Sequence, residues 1–341
     1  MNFLMSIIFV IFISFFLFYY IFYKLSYKIN FLDHPNQRKL HSGSIPMSGG
    51  LTIFFSLLPM FLFIEFTFWQ KLFFFSSTII LLLGLIDDFW DIGVSIRLVA
   101  QLAASLLIIG GGLSIVDVGD YAYISNIELG VTAILLTIIA VMGLTNAINF
   151  MDGIDGLCSS QVIISFITIC VYSFFSNNFE NLLFLYPIIF SLILFLFVNF
   201  GNKKIGKIFL GDSGSTFLGF ILAWTLIYYS HPSIRNFHPV LCVWCVSIPC
   251  FDLLCVIIRR LLRKINPLRP DRRHLHHLLI KKYKNQTKVL ILINSYSVFS
   301  SILGGFCFYF FGPGPALMVF FFWFVIYLLL SILISRSLSY E

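Results

Sequence analysis

Long apolar runs alternate with short polar stretches along the whole chain. Each run is about 20 residues long, the length that an α-helix needs to cross roughly 30 Å of hydrocarbon. A helix satisfies its own backbone hydrogen bonds in lipid, so the pattern favours helices. It predicts an all-α, polytopic transmembrane helical bundle with about eleven spans, at approximately 3–23, 49–68, 71–86, 97–115, 130–149, 157–176, 182–199, 213–230, 237–258, 289–310 and 314–335.

The basic residues lie on one side of this layout. If the N-terminus is outside, the odd number of spans makes the C-terminus cytoplasmic. All of the 22 Lys and Arg residues except Lys71 and Arg235 then fall in cytoplasmic loops or in the tail. Positive charge collects in cytoplasmic loops, so the distribution predicts this orientation in an inner membrane, with the large basic loops in the cytoplasm.

Composition excludes a water-soluble protein. Hydrophobic residues make up 59% of the chain and charged residues 11%, against about 25% charged in soluble domains. The net charge of +7 follows from the loop pattern and does not indicate a nucleic-acid partner. The seven cysteines lie mostly inside apolar runs, where they are typical of small buried residues. We expect a single integral-membrane domain over 1–341.

The first acidic cluster, GLIDDFWD, ends the third predicted span. Asp87 and Asp88 are adjacent, and Asp91 follows at helical spacing. Three carboxylates this close to hydrocarbon repel one another, so they need a cation or a proton. The alternative interpretation is a solvated helix end that faces the cytosol.

Two further acidic blocks occur at predicted cytoplasmic ends. In NAINFMDGIDGL, Asp152 and Asp155 are three residues apart, and Asn146 and Asn149 offer amides. In FLGDSGST, Asp212 begins a span whose backbone amides would be open to a phosphate. Short carboxylates on rigid helix ends suit Mg²⁺, although each block could also consist of ordinary helix caps.

Two basic blocks lie in the large cytoplasmic loops. DHPNQRKLHSGSIPMSGG contains Lys39 and His41 and leads into a glycine-rich helix start. PLRPDRRHLHHLL contains His274, His276 and His277, of which the first and third are expected on one helix face. Such residues bind phosphate groups. Simple attraction to lipid headgroups is the alternative, but it does not account for three histidines.

These blocks, in this order, resemble the polyprenyl-phosphate N-acetylhexosamine-1-phosphate transferase family from Asp33 to about Leu279. The resemblance implies that a polyprenyl phosphate attacks the β-phosphate of a UDP-N-acetylhexosamine and releases UMP. It implies Mg²⁺, or Mn²⁺ in its place, as the cofactor. HSGSIPMSGG and PDRRHLHHLL are similar to the branch that starts O-antigen, common-antigen or teichoic-acid linkage synthesis, so UDP-GlcNAc and undecaprenyl phosphate are the expected substrates, with sensitivity to tunicamycin.

The resemblance also implies a role for each candidate residue. The implied catalytic residues are Asp87, Asp88, Asp152 and Asp155. The implied metal ligands are Asp212 and Asp88. The implied nucleotide-sugar contacts are Asn146, Asn149, Asp155, Arg260, Arg273, His274, His276 and His277. The implied lipid-phosphate contacts are Lys39 and His41.

Other functions stay open at this point. The donor could be UDP-GalNAc, a deoxy-amino sugar or a muramoyl-pentapeptide nucleotide. A proton- or ion-coupled transporter is an alternative of a different class, because intramembrane carboxylates and histidines can carry protons or ions. A transporter should have polar residues at mid-span, whereas most of the carboxylates here lie at span ends. Homodimers occur in the family, so a homodimer is a further expectation.

Overall fold

The fold is almost entirely helical, as the apolar pattern predicts. The computed structural model describes residues 2–34, 43–121, 127–179, 182–201, 206–262, 264 and 274–337. Its helices are α1 (Asn2–Lys28), α2 (Gly49–Leu57), α3 (Phe68–Trp90), α4 (Val94–Gly110), α5 (Thr132–Asn149), α6 (Leu157–Phe175), α7 (Leu185–Asn199), α8 (Gly211–Ser230), α9 (Val240–Cys245), α10 (Ser247–Leu262), α11 (Leu275–Tyr283), α12 (Gln286–Phe311) and α13 (Pro313–Ser337). Short 3₁₀ helices, Leu58–Leu62 and Leu182–Phe184, follow α2 and precede α7.

Each of the eleven predicted apolar segments contains helix. Within the described residues, seven helices are long and apolar enough to cross a membrane. The segments predicted at 49–68 and 237–258 are less regular, since α2 gives way to a 3₁₀ turn and the second segment is divided into α9 and α10 at Val246. Pro249 follows that break and has no N–H to donate to Cys245, which disfavours a continuous helix. The number of crossings and the orientation of the termini stay predictions.

Helix α8 occupies the centre of the bundle. From Ser213 to Tyr229 every side chain is buried, and the helix packs mainly against α3 and α5. Glycines allow these backbones to approach closely. A Cβ atom on Gly84 of α3 would lie 2.3 Å from the Cα of Ser213, and one on Gly219 would lie 2.7 Å from the Cα of Thr145 in α5. Small residues at such crossings are typical of helix packing in membranes.

One end of the bundle, here called the site end, brings the polar blocks together. A two-residue antiparallel ladder pairs β1 (Leu32–Asp33) with β2 (Ile45–Pro46). The segment before α8 binds this ladder and the start of α2, since Phe209 donates its N–H to Pro46 and accepts one from Gly49. The segment before α8 and the described part of the first loop, which are distant in the sequence, therefore meet in the fold.

Separate polar contacts hold the opposite end of the bundle. Asp117, in the connection between α4 and α5, pairs with Arg235, which follows α8. The imidazole of His238 lies against the backbone of Gly119 and accepts the N–H of Asp120 at 3.1 Å. These contacts tie the connection between α4 and α5 to the connection between α8 and α9.

Replacement of Gly84 by alanine should loosen the contact between α3 and α8. The added methyl group would meet the α8 backbone, and overpacking of this kind costs about 1–3 kcal/mol. We expect a lower unfolding temperature for the purified protein in detergent. Gly143→Ala in α5 is the matched control, because its Cβ meets nothing within 4 Å. An unfolding temperature for Gly84→Ala equal to that of the control would contradict this close packing.

Candidate active site

The centre of the site end is the junction between α3 and α8. Both carboxylate oxygens of Asp88, near the end of α3, accept backbone N–H groups at the start of α8, from Asp212 at 2.7 Å and from Ser213 at 3.0 Å. The first amides of a helix have no partner within the helix and carry its positive dipole end, so a carboxylate satisfies both needs. The expectation that these amides are open to a phosphate is therefore wrong, because Asp88 occupies them.

Asp87 has a different environment from its neighbour. Its buried carboxylate accepts a hydrogen bond from Arg97 of α4 at 2.8 Å through Oδ2. Its Oδ1 is buried and has no hydrogen-bond partner among the described residues. Asp91 takes no part in this arrangement, since it is the exposed, left-handed cap that ends α3. The first acidic cluster thus divides into a pair directed at α4 and α8 and an exposed cap.

The second block spans the end of α5 and the turn that leads into α6. The amide of Asn146 donates to Oε1 of Gln101 in α4 and to the carbonyl of Met142, both at 2.7 Å. Asn146 therefore anchors α5 to α4 within the protein, whereas Asn149 is half-buried in the last turn. Gly156 caps α6 with a φ of 75°, a conformation that favours glycine.

The two aspartates of this turn differ in their partners. Asp155 forms an ion pair with Lys207, which lies in the segment before α8. Asp152 is exposed at the surface of the turn. The protein atoms packed around its carboxylate and the nearby carboxylates of Asp212 and Asp88 raise its pKa to about 8, and solvent screens part of that repulsion. The turn therefore presents an exposed carboxylate to a negatively charged surface, here called the cleft.

The histidine block packs against the same turn. His274 caps the start of α11, and its Nδ1 donates to Oδ2 of Asp252 in α10 at 2.7 Å. Its ring contacts that of Phe150 in a tilted arrangement, with ring centres 5.0 Å apart. The ring of His276 lies directly against Gly153, whose added Cβ would be 2.1 Å from Nε2. These contacts join the histidine block to the aspartate turn.

The three histidines are not equivalent. Burial lowers the pKa of His276 to about 3, with neighbouring His277 adding to the effect, so its imidazole is neutral at physiological pH. The buried Nε2 of His276 has no partner among the described residues. His277 is half-buried beside it. The expectation that His274 and His277 share a helix face is wrong, because α11 begins only at Leu275 and the ring parallel to His274 is that of His276.

Several predicted contacts lie outside the described residues. These are Lys39, His41 and Arg273. Arg260 is described and is buried at the end of α10. From the first loop, the structure describes Met47, whose carbonyl lies close to Gly211, and Gly50, which meets the α8 backbone at Gly214.

The donor set fits a hard divalent cation. Asp88, Asp152, Asp155 and Asp212 gather around the start of α8, and their mutual repulsion favours a positive ion. In the described part of the chain, no three His, Cys, Asp or Glu side chains form a ready-made metal cage. Mg²⁺ does not require one, since it keeps several waters and uses one or two carboxylates together with substrate phosphates.

Sequence reasoning assigned no site role to four residues that support this cleft. Lys207 counted only toward membrane orientation, yet it pairs with Asp155. Gln101 and Arg97 hold Asn146 and Asp87 from α4. Asp252 lies within the span predicted at 237–258, and an ionisable residue inside a membrane span is expected to have a partner. The structure identifies that partner as His274.

The chain is similar to a set of bacterial enzymes. A family model described as Glycosyl transferase family 4 matches residues 71–230. The undecaprenyl-phosphate alpha-N-acetylglucosaminyl 1-phosphate transferase of Haemophilus influenzae is 30% identical over 310 residues, which cover 88% of this chain and 86% of the relative. Proteins of the same name from Escherichia coli K12 and Yersinia pestis are each 29% identical, with 78% and 81% of this chain and 73% and 76% of the relatives covered.

Asp152→Asn should stabilise the metal-free protein by an amount that grows with pH. Because the pKa of Asp152 is raised in the folded state, the wild type loses stability as the pH rises from about 4 to about 8. An amide has no proton to lose. In detergent with EDTA, we expect the variant to unfold at a higher temperature than the wild type at pH 8.5, and the difference to shrink toward pH 5. A difference that does not change with pH would contradict the crowding of carboxylates.

Proposed function

The chain belongs to glycosyl transferase family 4 and is a multi-pass membrane phosphoglycosyl transferase, and we propose that it transfers N-acetylglucosamine-1-phosphate from UDP-N-acetylglucosamine to undecaprenyl phosphate. The names of its relatives state this acceptor and this sugar. The observation that carries the proposal is the gathering of Asp88, Asp152, Asp155 and Asp212 at the site end, beside the histidine block.

The proposed reaction exchanges one phosphorus–oxygen bond for another. An oxygen of undecaprenyl phosphate forms a bond to the β-phosphorus of the donor, which carries the sugar. The bond from that phosphorus to the bridging oxygen of the diphosphate breaks, and UMP leaves with the electron pair. A phosphate monoester has a second pKa of about 6, so most of the attacking groups are already ionised at pH 7. The protonated fraction gives its proton to the Asp87–Asp88 pair.

The side chains of the cleft hold and orient two anionic substrates. Lys207, which is held beside the turn by Asp155, is a proposed contact to the donor diphosphate. Half-buried Asn149 and His277 are the proposed contacts to the nucleotide sugar. Lys39, His41 and Arg273 stay predictions for the same anions.

Asp212 and Asp88 are the proposed ligands of Mg²⁺. The oxygens of Asp88 each accept one N–H group, and a carboxylate has about four lone-pair sites, so coordination of a metal is compatible with these bonds. A bound Mg²⁺ ion supplies neutralisation of the diphosphate and of the departing UMP. Mn²⁺ is the alternative ion.

The proposal includes the place of the enzyme in the cell. We assign eleven crossings, an external N-terminus and a cytoplasmic C-terminus, with the site end facing the cytoplasm of a bacterial inner membrane. This orientation is supported by the basic loops. The whole chain acts as one domain, a homodimer is the proposed assembly, and the product starts a lipid-linked surface glycan.

A transporter is the less favoured function. Transport through the bundle needs polar groups or water along a path across the bilayer. The central helix α8 instead buries Phe217, Phe220 and Trp224 completely at mid-bundle. The similarity to named transferases also favours an enzyme.

Replacement of Asp212 by asparagine should reduce turnover by at least about 100-fold, because the neutral amide is a weak ligand for Mg²⁺. The assay measures UMP release by purified enzyme in detergent from UDP-GlcNAc, undecaprenyl phosphate and Mg²⁺. EDTA should abolish the activity of the wild type, and added Mg²⁺ should restore it.

Asp91→Asn is the matched control for this experiment. It makes the same chemical change at an exposed position near the same end, and Asn adopts the left-handed conformation readily. We expect activity close to that of the wild type. Wild-type turnover by Asp212→Asn, or full activity in EDTA, would remove the proposed metal site.

Competition between nucleotide sugars tests the donor. We expect UDP-GlcNAc to be used with a kcat/KM at least about tenfold above that of UDP-GalNAc, which corresponds to about 1.4 kcal/mol of discrimination. We also expect inhibition by tunicamycin. If the enzyme prefers another UDP-N-acetylhexosamine, the proposed reaction stands and the proposed donor is wrong.

A further inference from the structure

A buried carboxylate outside the acidic cleft supports the histidine block. Asp252 of α10 is only 3% exposed, and three donors, two from the start of α11 and one from α13, converge on it. His274 donates through Nδ1 to Oδ2 at 2.7 Å. The backbone N–H of Leu275 donates to Oδ1 at 2.8 Å, and the hydroxyl of Tyr327 approaches the same oxygen at 3.4 Å. A buried carboxylate requires such partners.

This arrangement determines which nitrogen of His274 carries a proton. An ionised carboxylate only accepts hydrogen bonds, so Nδ1 must be the donor. Nε2 is then the ring atom left for another partner. Two rings neighbour the imidazole of His274: Phe150, tilted by 36° at 5.0 Å between centres, and His276, nearly parallel at 6.1 Å. Both the tautomer and the orientation of His274 therefore depend on Asp252.

The same carboxylate locates the start of α11. By accepting the Leu275 N–H group, Asp252 satisfies one of the first free amides of that helix. This places His276 in the first turn, against Gly153 of the aspartate turn. One buried side chain thus determines the position of the histidine block relative to the turn that carries Asp152.

We propose that Asp252 is a positioning residue for sugar-phosphate transfer, which acts through His274 by holding the Nδ1–H tautomer and the orientation of the ring beside Phe150. This inference rests on the proposed function. It assigns no contact between Asp252 and substrate. Carboxylates that orient a functional histidine in this way typically contribute about 10- to 100-fold to binding or activity.

Asp252→Asn is the test variant, because its side chain has nearly the same shape. Its Oδ1 can still accept the Leu275 N–H group, while its Nδ2 group donates to Nδ1 of His274 and so favours the opposite tautomer. We expect kcat to fall about 10- to 100-fold and the unfolding temperature to change little. Asp117→Asn is the control, since it also replaces a buried, paired aspartate but lies at the opposite end. We expect that control to retain kcat.

A double-mutant cycle with His274→Gln distinguishes positioning from general support. If Asp252 acts through His274, then Asp252→Asn should cause little further loss of kcat in the His274→Gln protein. If the factors by which the two single substitutions reduce kcat multiply in the double variant, the inference is wrong. A wild-type kcat for Asp252→Asn alone would also contradict it. Where a variant fails to fold, Asp252→Ser or His274→Asn takes its place in the same cycle. An inactive wild-type protein would instead count against the proposed function.

Discussion

The carboxylate of Asp88 on the first amides of α8 is the interaction on which the rest of the site depends. Helix α8 is buried along nearly its whole length, so its N-terminal N–H groups have little access to water. A charge-assisted bond to each carboxylate oxygen satisfies two of them and matches the dipole of the helix. Because Asp88 belongs to α3, the same bonds fix the end of α3 against the start of α8 and determine the position of Asp212.

This junction is possible only where the backbones approach closely. Gly84 on α3 and Gly50 on α2 each face the α8 backbone at distances that leave no room for a Cβ atom. Gly211 has a φ of 75° and lies next to Asp88, so the chain turns into α8 without a side chain that would displace the carboxylate. Gly50, Gly84 and Gly211 are therefore required for the contact between Asp88 and the start of α8.

Sequence patterns predicted the helices and the meeting of the polar blocks, because both depend on how hydrophobic and charged residues are distributed along the chain. Apolar length locates helices, and charged residues that cannot remain in lipid must collect at span ends. Pairwise contacts were not predictable in this way. Asp88 and Ser213 are 125 residues apart, and Asp252 and His274 are 22 residues apart across residues outside the described ranges. No periodicity relates such partners, so the occupation of the α8 amides and the tautomer of His274 emerge only from tertiary structure.

The charges of the cleft indicate why a cation is needed for the proposed chemistry. Among the described residues, Arg97 and Lys207 are already paired with Asp87 and Asp155, and His276 is neutral because burial lowers its pKa. Asp152 is left beside other carboxylates. A lipid phosphate and a nucleotide diphosphate would add several negative charges to this surface. Their close approach requires positive charge beyond these pairs, which the proposed Mg²⁺ ion would supply together with the predicted contacts Lys39, His41 and Arg273.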